Sequence, residues 1–260
     1  KKVLGKTIPA GQTIEKDLES LISILVTHPN TAPFVSRRLI QSLVTSNPSP
    51  EYMTRVSKVF VSSGGNLGQV AKAILLDPEA RAGDSPTNQK PTVGKIKEPL
   101  LHHINLLRGM NCTAAVLDRN NRNNPFLNGE QRIFDSPSVF GYFPPDHKAP
   151  ESLTPAPEQK LLTADEFNNR AGNFSWQAGA PLNFANAGCE LDLFVQAAAK
   201  SDDELIALIS QRFFKGAMPP TLLAGARNLL KTTLVNETPT NKFTKLLQVL
   251  LTSPTFGVVK

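Results

Sequence analysis

Apolar side chains recur along this chain with the spacing of amphipathic helices. The first such segment, residues 14–27, carries apolar residues at intervals of three and four, which places them on one side of a helix. They are Ile14, Leu18, Leu21, Ile22 and Leu25. The same pattern recurs at residues 33–44, 51–61, 67–76, 96–110, 163–170, 191–199, 201–214, 219–234 and 241–251. The chain is therefore predicted to consist mainly of α-helices.

The periodicity also predicts which side of a helix is apolar and faces the core. In the second helix this side holds Phe34, Val35, Leu39, Ile40 and Leu43. In the third it holds Tyr52, Val56, Val59 and Phe60. The helix predicted at residues 96–110 runs through Leu100, Leu101, Ile104 and Leu107.

Proline marks the ends of several predicted helices. An apolar helix end, one to three small or polar residues and then proline occur in turn at residues 25–29, 43–48, 75–78 and 250–254. Proline lacks the backbone N–H that would continue a helix, so it terminates the pattern. This use accounts for part of the 21 prolines in the chain.

The least regular part of the chain is residues 111–157, which are rich in asparagine and proline. Its five aromatic residues are too many for a solvated linker: Phe126, Phe134, Phe140, Tyr142 and Phe143. We expect an ordered connection that folds back on the domain. The predicted fold is a mostly α, multi-helix globular domain with this Pro/Asn-rich irregular segment in the middle. Its parts are residues 1–110, 111–160 and 161–260, within one continuous unit.

Composition narrows the class of protein. Of the 260 residues, 40% are apolar and 19% are charged, which excludes a disordered, collagenous or coiled-coil chain. Uninterrupted apolar runs fall far short of the roughly 20 residues that a membrane helix needs, so no membrane span is expected. The net charge of +6 is spread over several helices without interleaved aromatic residues, so nucleic acid is not a favoured partner. The basic residues of the first half are expected on solvated faces: Arg37, Arg38, Arg55, Lys58, Lys95 and Lys97.

Two cysteines, Cys112 and Cys189, lie 77 positions apart. This number excludes a disulfide-rich scaffold and a CxxC metal knuckle. Two free buried thiols and a single disulfide both fit the sequence, and the disulfide would suit an exported protein. Because the chain starts at Lys1 without a methionine or an apolar leader, we expect a cleaved signal peptide or a fragment.

The four histidines are the first candidates for chemistry. His102 and His103 are adjacent and lie about 100° apart around a helix, so they do not share one metal ion. Glu98 and His102 could share one, but without further ligands the pair favours a solvated or hydrogen-bonded helix face. No metal site and no cofactor is predicted.

The other two histidines are weaker candidates for a catalytic role. His28 precedes a proline at a helix end, where an imidazole commonly hydrogen-bonds loose carbonyl groups. His147 follows Asp146, which could orient it, but no nucleophile is marked nearby. The chain has neither a phosphate-binding P-loop nor a GxSxG elbow.

Seven blocks of sequence, read together, resemble a bacterial family known as domain of unknown function 1800 (DUF1800). They are residues 4–11 (LGKTIPAG), 28–41 (HPNTAPFVSRRLIQ), 44–50 (VTSNPSP), 73–81 (AILLDPEAR), 94–99 (GKIKEP), 136–143 (SPSVFGYF) and 251–256 (LTSPTF). Their order and spacing agree along nearly the whole chain, which resembles the C-terminal half of such a protein.

The resemblance implies a mostly helical fold and, for many members, export from the cytoplasm. It implies no reaction, although members often sit beside exported proteins that resemble sulfatases and alkaline phosphatases, which suggests a partner or accessory role. Two positions differ from what the resemblance implies. Lys97 stands in place of an arginine, and Glu158-Gln159 stands in place of Glu-Phe.

Two functions are consistent with these observations. The first is a non-catalytic helical binding or assembly module of an exported bacterial protein, periplasmic or extracellular, whose irregular segment binds a protein partner or a glycan. Its contact residues would be Phe140, Tyr142, Phe143 and Asp146. The second is a hydrolase or metal-assisted enzyme whose site is assembled from His28, Arg37, Arg38, Glu98 and His147. The oligomeric state is not predicted.

Overall fold

A computed structural model of the chain describes residues 1–84, 94–112, 131–132, 134–139, 141–175 and 189–259. Over these ranges the chain forms eleven α-helices and four two-residue strands, which confirms the predicted mostly α fold. The chain divides into two compact units, Lys1–Gly94 and Lys95–Val259. The division into 1–110, 111–160 and 161–260 stays a prediction.

The first unit is a short β-hairpin followed by consecutive helices. Strands β1 (Lys2–Val3) and β2 (Lys6–Thr7) pair antiparallel. The helices are α1 (Ile14–Val26), α2 (Thr31–Leu43), α3 (Pro50–Ser62), α4 (Leu67–Leu76) and α5 (Pro78–Arg81), followed by a 3₁₀ turn (Ala82–Asp84). Thr13, Ser49 and Asn66 cap α1, α3 and α4, because each side chain accepts a backbone N–H of the first turn.

The core of the first unit lies between α2, α3 and α4. Its fully buried members are Ala32, Ile40, Tyr52, Val56, Phe60, Val70 and Ile74. The hydroxyl of Tyr52 donates to the carbonyl of Ile74 at 2.7 Å, which satisfies the polar end of this buried ring. The predicted inward side of the third helix is confirmed for Tyr52, Val56 and Phe60.

The predicted apolar side of the second helix is only partly correct. Ile40 is buried, but Phe34 and Leu43 are exposed. The buried residues of α2 are Ala32, Ser36, Ile40 and Gln41. Two of these four are polar, so the apolar periodicity by itself does not predict the orientation of α2.

The second unit contains the remaining elements. They are β3 (Lys95–Ile96), α6 (Pro99–Gly109), a 3₁₀ turn (Pro157–Leu161), α7 (Ala164–Ser175), α8 (Leu191–Lys200), α9 (Asp202–Phe214), α10 (Pro220–Thr232), α11 (Pro239–Leu251) and β4 (Val258–Val259). Strands β3 and β4 pair antiparallel, so the start and the end of this unit are joined.

The core of the second unit is built by α6 and α8 to α11 around a group of aromatic rings. Phe194 and Phe243 stack at 4.7 Å between centroids, and Phe213 lies edge-on to Phe256. Gly109 allows the ring of Phe213 to lie against α6, because a Cβ at this position would lie 2.2 Å from the ring. Residues 163–170, 191–199, 201–214, 219–234 and 241–251 are thereby confirmed as helical segments, with boundaries shifted by a few residues.

The helix predicted at residues 96–110 is confirmed as α6. Leu100, Leu101, Ile104 and Leu107 are only half-buried. The buried residues of α6 are Pro99, His102, His103, Leu106 and Gly109. Two histidines therefore face the interior on this helix beside Leu106.

Cys112 and Cys189 are joined by a disulfide, which resolves the two alternatives left open by the sequence. The bond links the residues that follow α6 to those that precede α8. Beside it, the backbone N–H of Glu190 donates to the carbonyl of Met110 at 2.9 Å, and Asn111 Nδ2 donates to Glu190 Oε1 at 2.6 Å. The disulfide thus closes a long stretch of chain into a loop.

No helix within the described ranges combines the length and apolar character needed to cross a bilayer.

Candidate functional site

The second unit buries a set of ionisable side chains, which is uncommon because a buried charge is costly unless it is paired. The set consists of Lys95, Lys97, His102, His103, Glu158, Glu166 and Arg170. The prediction that Lys95 and Lys97 lie on solvated faces was therefore wrong. We refer to these seven residues as the buried polar cluster.

The extended backbone at the start of the unit explains why both lysines point inward. Side chains two residues apart in a strand share one face, so Lys95 and Lys97 lie on the same side of β3 and its extension. Ile96, between them, pairs with Val258, and the N–H of Lys97 donates to the carbonyl of Gly257 at 2.7 Å. The pairing with β4 thus sets the direction of the two side chains.

One half of the buried polar cluster is a lysine between two carboxylates. Lys95 Nζ lies 3.2 Å from Glu98 Oε1 and 3.8 Å from Glu158 Oε1. Gln131 Nε2 donates to the other oxygen of Glu98 at 2.5 Å, and Gln131 Oε1 accepts the N–H of Leu100. Glu98, a predicted site residue, is thereby fixed at the start of α6.

The other half is organised by Arg170 on α7. Its Nε donates to Glu166 Oε1 at 2.8 Å, one helical turn earlier, and its Nη2 donates to the carbonyl of Lys97 at 3.0 Å. Both members of the Arg170–Glu166 pair are buried. Arg170 therefore connects α7 to the backbone that carries Lys97.

Lys97 has no carboxylate partner among the described residues. Its Nζ lies 3.7 Å from the centroid of the Phe256 ring, a cation–π contact. Burial, together with the nearby charges of Lys215 and Arg170, lowers the pKa of Lys97 to about 8. The surroundings of Lys97 therefore add positive charge rather than neutralise it.

The two histidines of α6 are neutral at physiological pH. Burial lowers the pKa of His102 to about 3, with contributions from the charges of Arg170, His103 and Lys97. Burial also lowers the pKa of His103, whose Nδ1 lies 2.9 Å from the carbonyl of Pro99. His102 Nε2 lies 3.4 Å from the carbonyl of Leu251 and must carry the proton there, which leaves Nδ1 as an acceptor. This Nδ1 is buried and has no hydrogen-bond partner among the described residues.

This arrangement predicts that the folded chain loses stability in acid. The unfolded chain protonates His102 near pH 6.5 but the folded chain only near pH 3, so the unfolded chain binds more protons between these values. The stability is present above pH 6.5 and is lost as the pH falls, by about 2 kcal/mol between pH 6.5 and pH 5. Urea denaturation at both pH values checks this. His102→Gln keeps a donor for Leu251 and should lose about 2 kcal/mol less over the same range; equal losses in both proteins would contradict the assignment.

The five residues of the predicted enzyme site are divided between the two units. His28, Arg37 and Arg38 belong to the first unit, and Glu98 and His147 to the second. His28 Nδ1 accepts the N–H of Asn30 at 3.2 Å. Arg38 donates to Gln41 and lies over the ring of Phe34, and Arg37 is exposed.

The backbone of His147 makes two hydrogen bonds to neighbouring residues. Its N–H donates to the carbonyl of Pro144, and its carbonyl accepts the N–H of Ala156 at 2.8 Å. Among the described residues, no three histidine, cysteine, aspartate or glutamate side chains gather as a set of metal ligands. The five-residue enzyme site therefore stays a hypothesis.

Of the predicted contact residues of the irregular segment that the structure describes, only Asp146 is exposed. Phe140 lies outside the described residues. Tyr142 and Phe143 are half-buried, and the Tyr142 hydroxyl donates to the carbonyl of Arg132. Asp146 is exposed. Residues 144–156 fold back through a bridge between Lys148 and Pro155.

Other apolar side chains of this segment point into solvent. Phe134, Val139 and Leu153 are almost wholly exposed, Phe134 to 97%. Phe134 has a positive φ of 62°, a conformation that bulky residues rarely adopt. The sequence named Phe134 only as one of five aromatic residues and carried no signal for its exposure.

The first unit has a larger exposed apolar surface on α1, where no residue is buried. Its exposed members are Ile14, Leu18, Ile22, Leu25 and Val26, with Ile14 exposed to 84% and Leu18 to 54%. Successive residues of a helix lie 100° apart, so these five fall within one third of the helix circumference, an arc that also contains Glu15. We call the five the α1 apolar face. Leu21 and Ile24, on the adjoining side of α1, are half-buried.

Sequence reasoning missed Arg170, Glu166, Glu158 and Lys97 as members of a cluster. One signal was available for Lys97 and Glu158, since both stand at positions where the family resemblance implies a particular pattern. A second was the spacing of Glu166 and Arg170, an acid and a base four residues apart on one helix face.

Comparison with known proteins gives one result. Residues 1–258 match the model of a family described as "Protein of unknown function (DUF1800)". No curated protein and no solved structure matches the chain significantly.

Proposed function

We propose that this chain, which belongs to the DUF1800 family, is a non-catalytic helical binding module that docks on a protein partner through the α1 apolar face. The observation that carries the proposal is the exposure of five large aliphatic side chains in one continuous stripe on α1. Single exposed apolar residues are ordinary on protein surfaces, whereas a contiguous patch marks an interaction site.

The arrangement of α1 suits a partner with an apolar groove. Anchors at Ile14, Leu18, Ile22 and Leu25 follow the spacing of three and four that helix-in-groove complexes use. Glu15 lies between Ile22 and Val26 around the helix, Glu19 lies next to Val26 at the edge of the face, and both are exposed. The occupant is therefore a protein whose apolar groove has a basic rim, because such a rim complements these carboxylates.

The proposed location is outside the cytoplasm. The disulfide between Cys112 and Cys189 supports it, because disulfides persist in oxidising compartments and are rare in the cytosol. We therefore propose a location in the periplasm or outside the cell.

The irregular segment is a second contact surface in this proposal. Phe134, with its exposed ring and positive φ, supports it better than the half-buried Tyr142 and Phe143. Unusual backbone conformations at exposed residues are often kept for a functional reason. A flat exposed aromatic ring fits a protein groove or a sugar face, so the partner of this surface stays a protein or a glycan.

Substitution of the α1 apolar face should impair binding and spare the fold. The variant Leu18→Ser/Ile22→Ser is expected to weaken partner affinity at least tenfold, because interface energy concentrates in a few apolar anchors. Its free energy of unfolding should change by less than about 0.5 kcal/mol, since both side chains are already exposed. Isothermal titration with the purified partner and urea denaturation measure the two effects.

The partner is identified by placing the photo-crosslinking amino acid p-benzoylphenylalanine at position 18 in the producing cell. Ser23, on the opposite side of α1, provides the matched control position, and Ser23→Ala the matched control variant. A protein captured from position 18 but not from position 23, and bound more weakly by the double variant, supports the proposal. Equal capture at both positions, or equal affinity of both variants, would rule out docking through this face.

A further inference from the structure

The environment of Lys97 is that of a cation without its counter-ion. Lys97 is 7% exposed, and none of the ion pairs of the described residues includes it. Lys95, two residues earlier, has two carboxylates within reach, and Arg170 has one. Since a buried charge is normally paired, the isolation of Lys97 calls for an anion.

Two other cations lie near Lys97. Arg170 donates to the Lys97 carbonyl through Nη2 and to Glu166 through Nε, which leaves N–H groups of its fork without a protein acceptor among the described residues. Lys215 adds an exposed positive charge at the end of α9, next to Phe214, whose ring contacts Phe256. Lys97 therefore has two cations near it, the buried Arg170 and the exposed Lys215.

A polar atom without a partner lies beside these cations. Both Lys97 Nζ and the His102 ring contact Phe256, the latter at 5.1 Å between centroids and nearly perpendicular to it. His102 is only 2% exposed, and its Nδ1 lacks a hydrogen-bond donor among the described residues. A buried acceptor without a donor is costly, so this atom marks a place for a ligand O–H group.

We propose that Lys97, Arg170, Lys215 and His102 form a binding site for a small oxyanion that also carries an O–H group. The cations hold the negative oxygens, and the ligand O–H donates to His102 Nδ1. Hydrogen phosphate and phosphate monoesters in their singly protonated form have both features. Sulfate has the charge and shape but no O–H at neutral pH, so it cannot make the contact with His102.

The site is separate from the α1 apolar face, which belongs to the first unit, and does not depend on the proposed function. Its chemistry needs no metal and no covalent step. A phosphate at this position would neutralise Lys97 and tie the start of the unit, at β3, to α7 and the end of α9.

Isothermal titration with inorganic phosphate, inorganic sulfate and glycerol phosphate at pH 7 and matched ionic strength tests the site. Phosphate should bind at least tenfold more tightly than sulfate. Preference for free phosphate or for glycerol phosphate identifies the natural source, and both results support the site. Absence of binding to either phosphate, or equal binding of phosphate and sulfate, would overturn the assignment.

Variants test whether phosphate binds at this site or is attracted by the positive charge of the whole chain. Lys97→Met should weaken phosphate binding at least tenfold while keeping the fold, because it replaces a buried charge by an apolar side chain of similar length. Lys215→Asn, chosen because asparagine tolerates the positive φ of 55° at this position, should weaken it several-fold. Lys231→Met, an exposed lysine of α10, is the matched control and should bind as the unmodified chain does. Equal affinity in Lys97→Met and Lys231→Met would exclude the site.

Discussion

Replacing Cys112 and Cys189 together by alanine is expected to lower the free energy of unfolding of the second unit by about 4 kcal/mol. The disulfide joins residues 77 positions apart, so its loss frees a long loop in the unfolded chain. The entropy that a cross-link removes from the unfolded state grows with the length of the closed loop, which makes this one of the most effective cross-links a chain of this size can carry.

Urea denaturation followed by circular dichroism measures this effect, and reduction provides its control. Dithiothreitol should destabilise the unmodified chain by a similar amount and leave the double alanine variant unchanged. The first unit, which contains neither cysteine, should unfold at the same urea concentration in all samples. A loss of less than about 1 kcal/mol, or a further effect of dithiothreitol on the variant, would contradict a stabilising disulfide at these positions.

The sequence alone could not show whether Cys112 and Cys189 form a disulfide or remain free thiols, and the reason is physical. Two cysteines 77 positions apart carry no local pattern, because only the folded chain brings the end of α6 beside the start of α8. Helices are different, since the periodicity that forms them is local. Residues 67–76, for example, match α4 at both ends, and Asn66 caps it as a start signal should.

Helix faces follow from the sequence less well than helices do, and α6 shows why. Leu100, Leu101 and Leu107 gave a regular apolar pattern but are only half-buried, whereas His102, His103 and Leu106 are turned inward. Histidine is amphipathic and can be buried in its neutral form once its nitrogens find partners. The partners here, the carbonyls of Leu251 and Pro99, come from tertiary contacts and helix ends that a periodicity count does not see.

The α1 apolar face shows the opposite mismatch. Its spacing is that of a core helix, but the core of the first unit is already complete between α2, α3 and α4. Local pattern and burial agree when every apolar face has a partner inside the unit, so a strong pattern without burial points to a partner outside it. The disagreement between sequence and structure is thus the observation on which the proposed function rests.

The buried polar cluster was predicted least well, because its members come from separate segments. Glu98 was named as a candidate, but Lys95, which holds it, was expected in solvent. Lysine is rarely buried, so a pattern taken from the sequence alone predicts it at the surface. Only the pairing of β3 with β4, two segments more than 150 residues apart, directs Lys95 and Lys97 to the interior.

Arg170→Met is expected to destabilise the second unit by about 3 to 5 kcal/mol. The substitution removes the guanidinium that donates to Glu166 and to the Lys97 carbonyl, and Glu166 stays buried with its charge. Removing one partner of a buried ion pair costs more than the pair itself is worth, because the remaining charge has lost its compensation. Urea denaturation at pH 7 measures the loss.

Two further variants test whether the loss of stability in Arg170→Met comes from the buried charge of Glu166. Arg227→Met removes an exposed arginine paired with Asp203 at 3.2 Å and should cost less than about 1 kcal/mol, because exposed ion pairs are screened by water. Glu166→Gln combined with Arg170→Met removes both charges and should recover part of the stability lost in the single variant. If Arg170→Met and Arg227→Met cost the same, or if the double variant is the less stable one, the buried Arg170–Glu166 pair does not stabilise the second unit in the way its geometry indicates.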